Sequence, residues 1–359
     1  MITVTDVAKR AGVSTSTVSH VLNRTRPVSD ELRQRVLAAI EDLGYEPNAV
    51  ARSLRMRRSN TLGLVISDLE NPFFTAVVRG VEDVAQESGY TLILCNSNEE
   101  VARERDYIRV LLARRVDGLI LSPVGEKHEL LARIVLERFP LVFFDRYVPG
   151  LDVSSVGIDN EQGAYEAVRH LVLLGHRRIA MVSGRVGPST GRDRIAGYRR
   201  ALREAGIDLD DRLIAEGYST SEGASRAVTT LLELTPRPTG LFAGNNLMTI
   251  GALAAIEDAG LSVPEDIALV GFDDFAWSEV FRPRLTTIAQ PTYELGRTAA
   301  ELCLRLINAD RDEPTRQVTM RGQLIVRESS GAPVDQMTPL SERRLGRTRT
   351  QTPGTHAAR

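Results

Sequence analysis

The chain has 359 residues, 42% hydrophobic and 26% charged, with a net charge of −2. That is too long for one ordinary core and of ordinary globular composition, so two or three domains are expected. No apolar run of about 18 residues and no apolar leader are present, so neither a membrane span nor export is expected, and a cytoplasmic location follows. Cys95 and Cys303 lie far apart inside apolar runs without metal-ligand spacing, and read as small core residues in a reducing compartment. The small net charge hides an asymmetry: residues 1–58 hold ten basic and six acidic groups, a net +4, which leaves −6 for the remainder. A basic module on an acidic body fits a binder of the phosphate backbone.

The first two dozen residues predict a helix, a tight turn and a second helix. Thr3 can cap the first helix with Asp6 in the capping-box position. Val7, Ala8 and Ala11 form its apolar stripe, and Gly12 allows the chain to reverse. Ser14 can cap a second helix whose inner face is Val18, Val21 and Leu22. Its first turn offers Thr15, Ser16 and Ser19, with His20 one turn below Ser16. Small hydroxyls and one imidazole at a helix N-terminus suit entry into a DNA major groove. Thr5, Thr17 and Asn23 complete the polar groups of the pair. On pattern alone, a helical hairpin with a polar outer face is the alternative. Arg24–Ser29 reads as a loop containing Arg26, and Ser29 as the cap of a third helix with the stripe Leu32, Val36, Ile40 and Leu43. Asn48 can cap a short linker helix, in which Leu54 beside Arg55 fits an apolar wedge with a cation for the minor groove.

From Leu62 onward, apolar strands alternate with amphipathic helices. Strands are expected at Leu62–Ser67, Thr91–Asn96, Gly118–Ser122, Leu141–Phe144, Ser155–Ile158, Ile179–Ser183, Leu213–Gly217, Leu241–Ala243 and Ile267–Gly271. Helices are expected at 74–88, 161–174, 192–205, 222–234 and 247–259. This pattern predicts an α/β protein with two doubly wound parallel sheets and a cleft between them. Ligands in such sheets sit beyond the strand carboxyl ends. The polar residues there are Asp68, Asn96, Ser122, Asp145, Asp159, Asn245 and Asp273; roughly half read equally as helix caps, Asp159 and Asn246 in particular, whereas neither Asp145 nor Asp273 is followed at once by a clear helix. Phe73, just inside a helix start at Pro72, could cover a ligand, whereas Phe74 reads as core. Arg194 could bind ligand hydroxyls or a carbonyl, or form a surface salt bridge. Trp277 could stack on a ligand or pack between the halves. Thr286–Pro291 reads as a crossing strand, followed by a helix over 292–308 and a strand over 318–327. The tail from Gly331 to Arg359 reads as disordered.

Seven motifs resemble the lactose-repressor family of bacterial transcription regulators. They are Val4-x-Asp-Val-Ala-x-x-Ala-Gly-Val-Ser-x-x-Thr-Val-Ser-x-Val-Leu-Asn23, Gly44-Tyr-x-Pro-Asn-x-x-Ala-Arg-Ser-Leu54, Asn71-Pro-Phe-Phe74, Leu174-Gly-His-Arg-Arg-Ile179, Val263-Pro-x-Asp266, Gly271-Phe-Asp-Asp274 and Leu285-Thr-Thr-x-x-Gln-Pro291. The resemblance implies a helix-turn-helix headpiece over 1–46, a hinge over 47–59 and a two-lobed, periplasmic-binding-protein-like effector domain over 60–330. One lobe would comprise 60–159 and 290–317, the other 160–289 and 318–330. It further implies a homodimer reading a pseudo-palindromic operator on double-stranded DNA. Thr15, Ser16 and His20 would touch base edges with help from Arg26, and paired Leu54 side chains would wedge the central step. Phe73, Asp145, Arg194, Asn245 and Asp273 would contact the effector.

The headpiece is most similar to those of the purine and ribose repressors. Where the purine repressors have an arginine before a Thr-Gly segment, this chain has Pro188, which counts against a purine. Paired Asp and Asn groups with an Arg and an aromatic suit a polyol ring, so a sugar or sugar derivative is expected as effector, with a purine or nucleoside as the alternative. No Gly-rich phosphate loop, Cys/His metal cluster or nucleophile–base pair stands out, so neither an enzyme nor a cofactor is expected. A solute-binding protein with a fused helical module would share the two-lobed body, but would not need residues 1–58.

Overall fold

Thr3 starts the first helix, α1 (Val4–Ala11), with a reciprocal capping box: its hydroxyl accepts the Asp6 amide, and the Asp6 carboxylate accepts the Thr3 amide at 2.8 Å. Gly12 ends α1 in the left-handed region at φ +63, and the Ser14 hydroxyl accepts the Thr17 amide at 3.1 Å to open α2 (Thr15–Asn23). The third helix, α3 (Asp30–Leu43), closes a small core of Val7, Ala8, Ala11, Val18, Val36 and Ala39. Arg35 reaches back from α3 and donates to the Ala11 carbonyl at 2.6 Å, tying down the end of α1. Ser29 stands at the cap of α3 but makes no side-chain capping bond; Asp30 and Glu31 in the first turn oppose the helix dipole instead.

This computed structural model describes residues 2–23, 26–45, 58–125, 129–309 and 313–338. The chain divides into two units, Met1–Ser59 and Asn60–Arg359. Leu54 and Arg55 lie outside the described residues, as does most of the expected hinge.

The second unit contains two six-stranded sheets. The first has the order β11-β5-β4-β3-β1-β2, built from β1 (Thr61–Ile66), β2 (Thr91–Asn96), β3 (Gly118–Leu121), β4 (Leu141–Phe144), β5 (Ser154–Ile158) and β11 (Gln317–Met320). The second has the order β12-β10-β9-β8-β6-β7, from β6 (Ile179–Ser183), β7 (Ile214–Glu216), β8 (Gly240–Ala243), β9 (Ala268–Phe272), β10 (Thr286–Ala289) and β12 (Gln323–Ile325). Every pairing is parallel except β10 with β12. The order β2-β1-β3-β4-β5 recurs as β7-β6-β8-β9-β10, so the two lobes repeat one doubly wound topology.

The remaining helices are α4 (Pro72–Glu87), α5 (Val101–Ala113), α6 (Glu129–Leu136), α7 (Asn160–Leu173), α8 (Ser189–Glu204), α9 (Ser221–Leu232), α10 (Asn246–Asp258) and α11 (Thr292–Asn308). Both faces of each sheet are covered. One core cluster runs from Leu62, Ile66 and Phe144 of the first lobe to Phe242 and Phe272 of the second, and two others fill the opposite faces. Three helix pairs pack almost backbone to backbone. A Cβ on Gly296 would stand 2.1 Å from the Val77 carbonyl, on Gly197 2.1 Å from that of Glu161, and on Gly251 2.0 Å from that of Ser221. Only glycine fits these crossings. Among the described residues no helix is long and apolar enough to cross a membrane.

Several expectations need correction. The single strand over 318–327 is two strands: β11 joins the first sheet and β12 the second, with Gly322 between them, so the last crossing falls after Met320 rather than at 317. An apolar alternation cannot show that a strand changes partner halfway. Leu213 belongs to a 3-10 turn before β7, because the Asp210 carboxylate caps the Arg212 amide there. Helices α5 and α6 add to the examples named from the sequence; the helix over 292–308 has the expected bounds, and the other five start one to three residues earlier than periodicity places them. Residues 331–338 are ordered rather than disordered: the Thr338 amide donates to the Val326 carbonyl at 2.9 Å, and the Thr338 hydroxyl accepts the Val326 amide at 2.9 Å.

Candidate functional site

The chain crosses between lobes three times, after β5, after β10 and after β11. The carboxyl ends of both sheets therefore face one pocket. The first lobe contributes Asp68 after β1, Glu99 after β2, and Asp145 and Arg146 after β4. The second contributes Gly184 after β6, Ser219 after β7, Asn245 after β8, Asp273 after β9 and Gln290 after β10. Asn71 and Phe73 at the start of α4, and Thr190 and Arg194 of α8, complete the walls. The repeat extends to backbone conformation. Asp145 and Asp273 leave equivalent strands in the left-handed region, at φ +62 and +72, and Glu99 and Ser219 do the same at +57 and +63. Asp tolerates that region better than most residues, and such strain gathers at ligand sites.

Two guanidiniums are buried in this pocket. Arg146 gives both terminal nitrogens to Glu99, at 2.9 and 2.6 Å, and its Nε lies 3.6 Å from Asp145 Oδ2 without a hydrogen bond. Arg194 donates its Nε to Asn160 Oδ1 at 2.8 Å and an Nη to the Gly244 carbonyl, and its guanidinium lies 3.7 Å above the Phe272 ring. Gln290 donates to Asp273, and its own Oε1 is buried without a partner. Across the cleft Asn246 donates to Asn71 Oδ1 at 2.9 Å, and the Tyr147 amide donates to the Ser189 hydroxyl at 3.2 Å.

Burial drives the electrostatics. It pushes the Asp145 carboxyl up to about 6, only partly opposed by Arg146 and Arg194, with Asp273 adding to the rise. Burial also raises Asp273 and Asp68. For Glu99 the burial penalty is outweighed by its Arg146 partner, which holds the carboxyl below its ordinary value. Burial lowers the Arg194 guanidinium.

Asp145 ionises with difficulty, which sets a sign for the pH dependence. Its folded value of about 6 lies above the ordinary 3.8, so the folded state takes up this proton first, and the contribution of Asp145 to stability grows as pH falls from 7 towards 4. Where an effector hydroxyl donates to Asp145, protonation over the same range leaves it a weaker, neutral acceptor. On that assignment, effector affinity is expected to fall by up to about tenfold per pH unit below pH 6. The Asp145→Asn variant should show a flat profile in calorimetric titrations; an identical slope in that variant would remove Asp145 from the binding set.

All six candidate effector residues, Asp68, Phe73, Asp145, Arg194, Asn245 and Asp273, line the one pocket. Their roles differ in detail. Asn245, not Asn246, is the N-cap of α10: its Oδ1 accepts the Met248 amide at 2.7 Å and its Nδ2 donates to the Ser219 carbonyl at 3.3 Å, so most of its capacity is used within the protein. Asp159 caps α7 as expected, and Asn96 accepts the Asn98 amide; neither lines the pocket. Phe73 is 6% exposed and meets Phe74 edge to face at 5.0 Å. Arg194 is 8% exposed, which rules out a surface salt bridge. Trp277, 64% exposed and outside the pocket lining, neither covers the pocket nor packs between the lobes. Sequence reasoning missed Glu99, Arg146, Asn71, Ser219 and Gln290. Distance past a strand end was the available signal, the same that nominated Asp68 and Asp145.

In the first unit, Thr5, Ser14, Thr15, Ser16 and Arg26 are exposed, Thr17, Ser19 and His20 are half-buried, and Asn23 ends α2. Ser16 Oγ lies 3.3 Å from His20 Nε2, so the two form one polar edge on consecutive turns.

Residues 3–48 match the family model described as "Bacterial regulatory proteins, lacI family", and residues 59–325 match that of "Periplasmic binding proteins and sugar binding domain of LacI family". A relative from Photobacterium profundum, the HTH-type transcriptional repressor PurR, is 39% identical over 331 residues, covering 92% of this chain and 98% of its own. Among solved structures, the lac repressor dimer bound to operator and the anti-inducer ONPF aligns with a TM-score of 0.82 at 30% identity, over 92% of this chain and 99% of that one. The transcriptional regulator CelR in complex with cellobiose aligns with a TM-score of 0.71 at 33% identity, over 92% of this chain and 100% of that one. These relatives are transcription regulators rather than enzymes. With headpiece and two-lobed body both matched over their length, the chain belongs to the LacI family of DNA-binding transcriptional regulators.

Proposed function

We propose that this regulator is a cytoplasmic repressor that reads a pseudo-palindromic operator as a homodimer, and that a sugar or sugar derivative in the cleft pocket controls its operator affinity. The observation that carries the effector reading is the convergence of Asp68, Asp145, Asp273, Gln290 and Arg194 from both lobes on one pocket. Hydroxyls both donate and accept, so a polyol can use such a lining from every side. A ligand gripped by both lobes favours one setting of the lobes over another, and that preference is the coupling energy available to the DNA-binding end. The headpiece is 1–46, the linker 47–59 and the effector body 60–330 in this reading. CelR, one of the similar structures, holds cellobiose.

A purine effector is the second reading, favoured by the identity of the PurR relatives. Pro188 in the lining counts against it, as does the aromatic content: Phe73 and Phe74 stand edge to face with each other, not on opposite walls where they could sandwich a flat base.

A thermal-shift screen of sugars, nucleosides and free purines separates the two. A ligand at about 100 times its dissociation constant adds about 2.7 kcal/mol to the unit that binds it. Stabilisation by a purine base alone would replace the carbohydrate reading. For the DNA half, selection from a random duplex pool should return a two-fold symmetric site. Ser16→Ala should then relax preference at one base position per half-site, at about 1–3 kcal/mol each. A uniform loss across all sequences would make Ser16 a phosphate contact instead. Leu54→Ala tests the wedge proposed from sequence and should weaken operator binding while sparing the effector.

A further inference from the structure

Resting on the carbohydrate reading, we infer that the pocket accepts only an uncharged, hydroxyl-rich ligand and rejects phosphorylated or carboxylated sugars, with the Glu99–Arg146 pair as the element that sets this specificity. A guanidinium grips phosphate or carboxylate through two parallel N–H bonds from its fork. Arg146 has committed the fork of its two Nη atoms to the two oxygens of Glu99, and its Nε edge lies 3.6 Å from Asp145 Oδ2, so an anion approaching either edge meets a carboxylate already there. Arg194 gives its Nε to Asn160 and Nη1 to the Gly244 carbonyl; its remaining N–H groups lie in the field of Asp145 and Asp273. The charge of both guanidiniums is thus offset by the protein's own carboxylates, while spare N–H donors remain for a neutral hydroxyl. Arg185, the third guanidinium of the lining, is exposed to solvent, and Glu99 opposes its charge.

The acceptors point the same way. Gln290 Oε1 is buried without a partner, Asp145 has only the 3.6 Å approach of Arg146, and Asp273 takes one side-chain bond, from Gln290, beside a backbone bond from Asn246. Asp68 and Glu99 bring the carboxylates of the lining to four. A ligand must supply donors to these groups and must not bring negative charge of its own, because like charges in a water-poor site repel strongly and each unmet acceptor carries its desolvation cost.

The test is a thermal-shift titration of the full chain with matched probes: ribose against ribose 5-phosphate, glucose against glucose 6-phosphate, and inorganic phosphate and sulfate alone. The anionic probes are expected to give no stabilisation that Arg146→Gln, Arg194→Met or Arg185→Gln removes; a shift that survives all three arises outside the pocket and agrees with exclusion. Stabilisation by an anionic probe that disappears in any of the three variants overturns the inference while leaving the carbohydrate reading intact. Glu99→Gln supplies the gain-of-function arm. With the fork released, phosphate should half-saturate the pocket at a concentration at least about tenfold lower than for the parent chain. A folded Glu99→Gln protein, with unchanged circular dichroism, that gains no phosphate binding overturns the assignment to Glu99. Should that variant not fold, the parent and Arg146→Gln comparison still decides. Failure of the carbohydrate reading itself looks different: a free purine base stabilises the protein and every sugar, neutral or anionic, does not.

Discussion

Replacing Arg194 with Met is expected to weaken effector binding by about 100-fold or more, while the effector-free protein keeps its operator affinity. Arg194 is the only buried cation contributed to the pocket by the second lobe among the described residues, and the Asp145 and Asp273 carboxylates act on it as nearby opposite charges. A hydrogen bond to a charged donor in a desolvated site contributes about 1.5–3 kcal/mol, and loss of the nearby positive charge further raises the cost of keeping the two carboxylates ionised. Met approximates the length of the side chain and keeps its packing on Phe272, so the comparison removes hydrogen bonds and charge rather than volume. Calorimetric titration with the ligand identified by the screen, alongside operator binding by fluorescence anisotropy, measures both quantities. Effector affinity within about a factor of three of the parent would exclude Arg194 from the ligand contacts.

The second large effect belongs to a residue outside the pocket. Arg327 is 1% exposed, donates to both oxygens of Asp274 at 2.7 and 3.0 Å, and reaches the Leu285 carbonyl at 2.6 Å. It also reaches the Thr287 hydroxyl at 3.2 Å, while its own amide donates to the Thr286 hydroxyl at 2.9 Å. Arg327→Met strands the Asp274 carboxylate and a buried carbonyl together. Removing one partner of a buried pair costs about 3–5 kcal/mol; Asp274 is partly solvated, so the lower end, about 3 kcal/mol, is expected, equivalent to a drop of about 6–12 °C in the melting temperature of this unit. Urea unfolding of the full chain reads it directly. Because Asp274 follows the pocket residue Asp273, the variant should also loosen effector binding. Arg327→Lys should recover only part of the loss, since an ammonium cannot reproduce the fork. A melting temperature unchanged in Arg327→Met would show that the loop after β9 is held by packing alone.

The two predictions concern a residue of α8 and one that follows β12, and their separation is informative. Loss of ligand affinity without loss of stability locates a contact; loss of both locates support for one. Nothing in the sequence separates Arg194, in an arginine-rich helix start, or Arg327, after an apolar run, from the other arginines of the chain; only their surroundings assign them.

The boundary between what was legible in the chain and what was not follows the range of the forces involved. Local signals were legible. Thr3 and Asp6 form the capping box their spacing predicts, Gly12 takes the left-handed turn, and Pro72 opens α4 behind the Asn71 cap, because each depends on atoms only a few residues apart. Alternation of apolar strands with helices was enough to predict two parallel sheets, and the rule that ligands bind beyond strand carboxyl ends was enough to nominate Asp68, Asp145, Asn245 and Asp273. What sequence alone could not determine was partnership across distance. That the apolar stretch ending at Ile325 divides between two sheets depends on which edge each half meets. That Glu99 binds Arg146, 47 residues away, depends on the repeated strand order bringing the ends of β2 and β4 to the same pocket. The sequence determined the chemistry available at each strand end; the tertiary structure decided which of those groups were paired with each other and which were left for a ligand, because a buried donor or acceptor is satisfied by its neighbours in space, not by those along the chain.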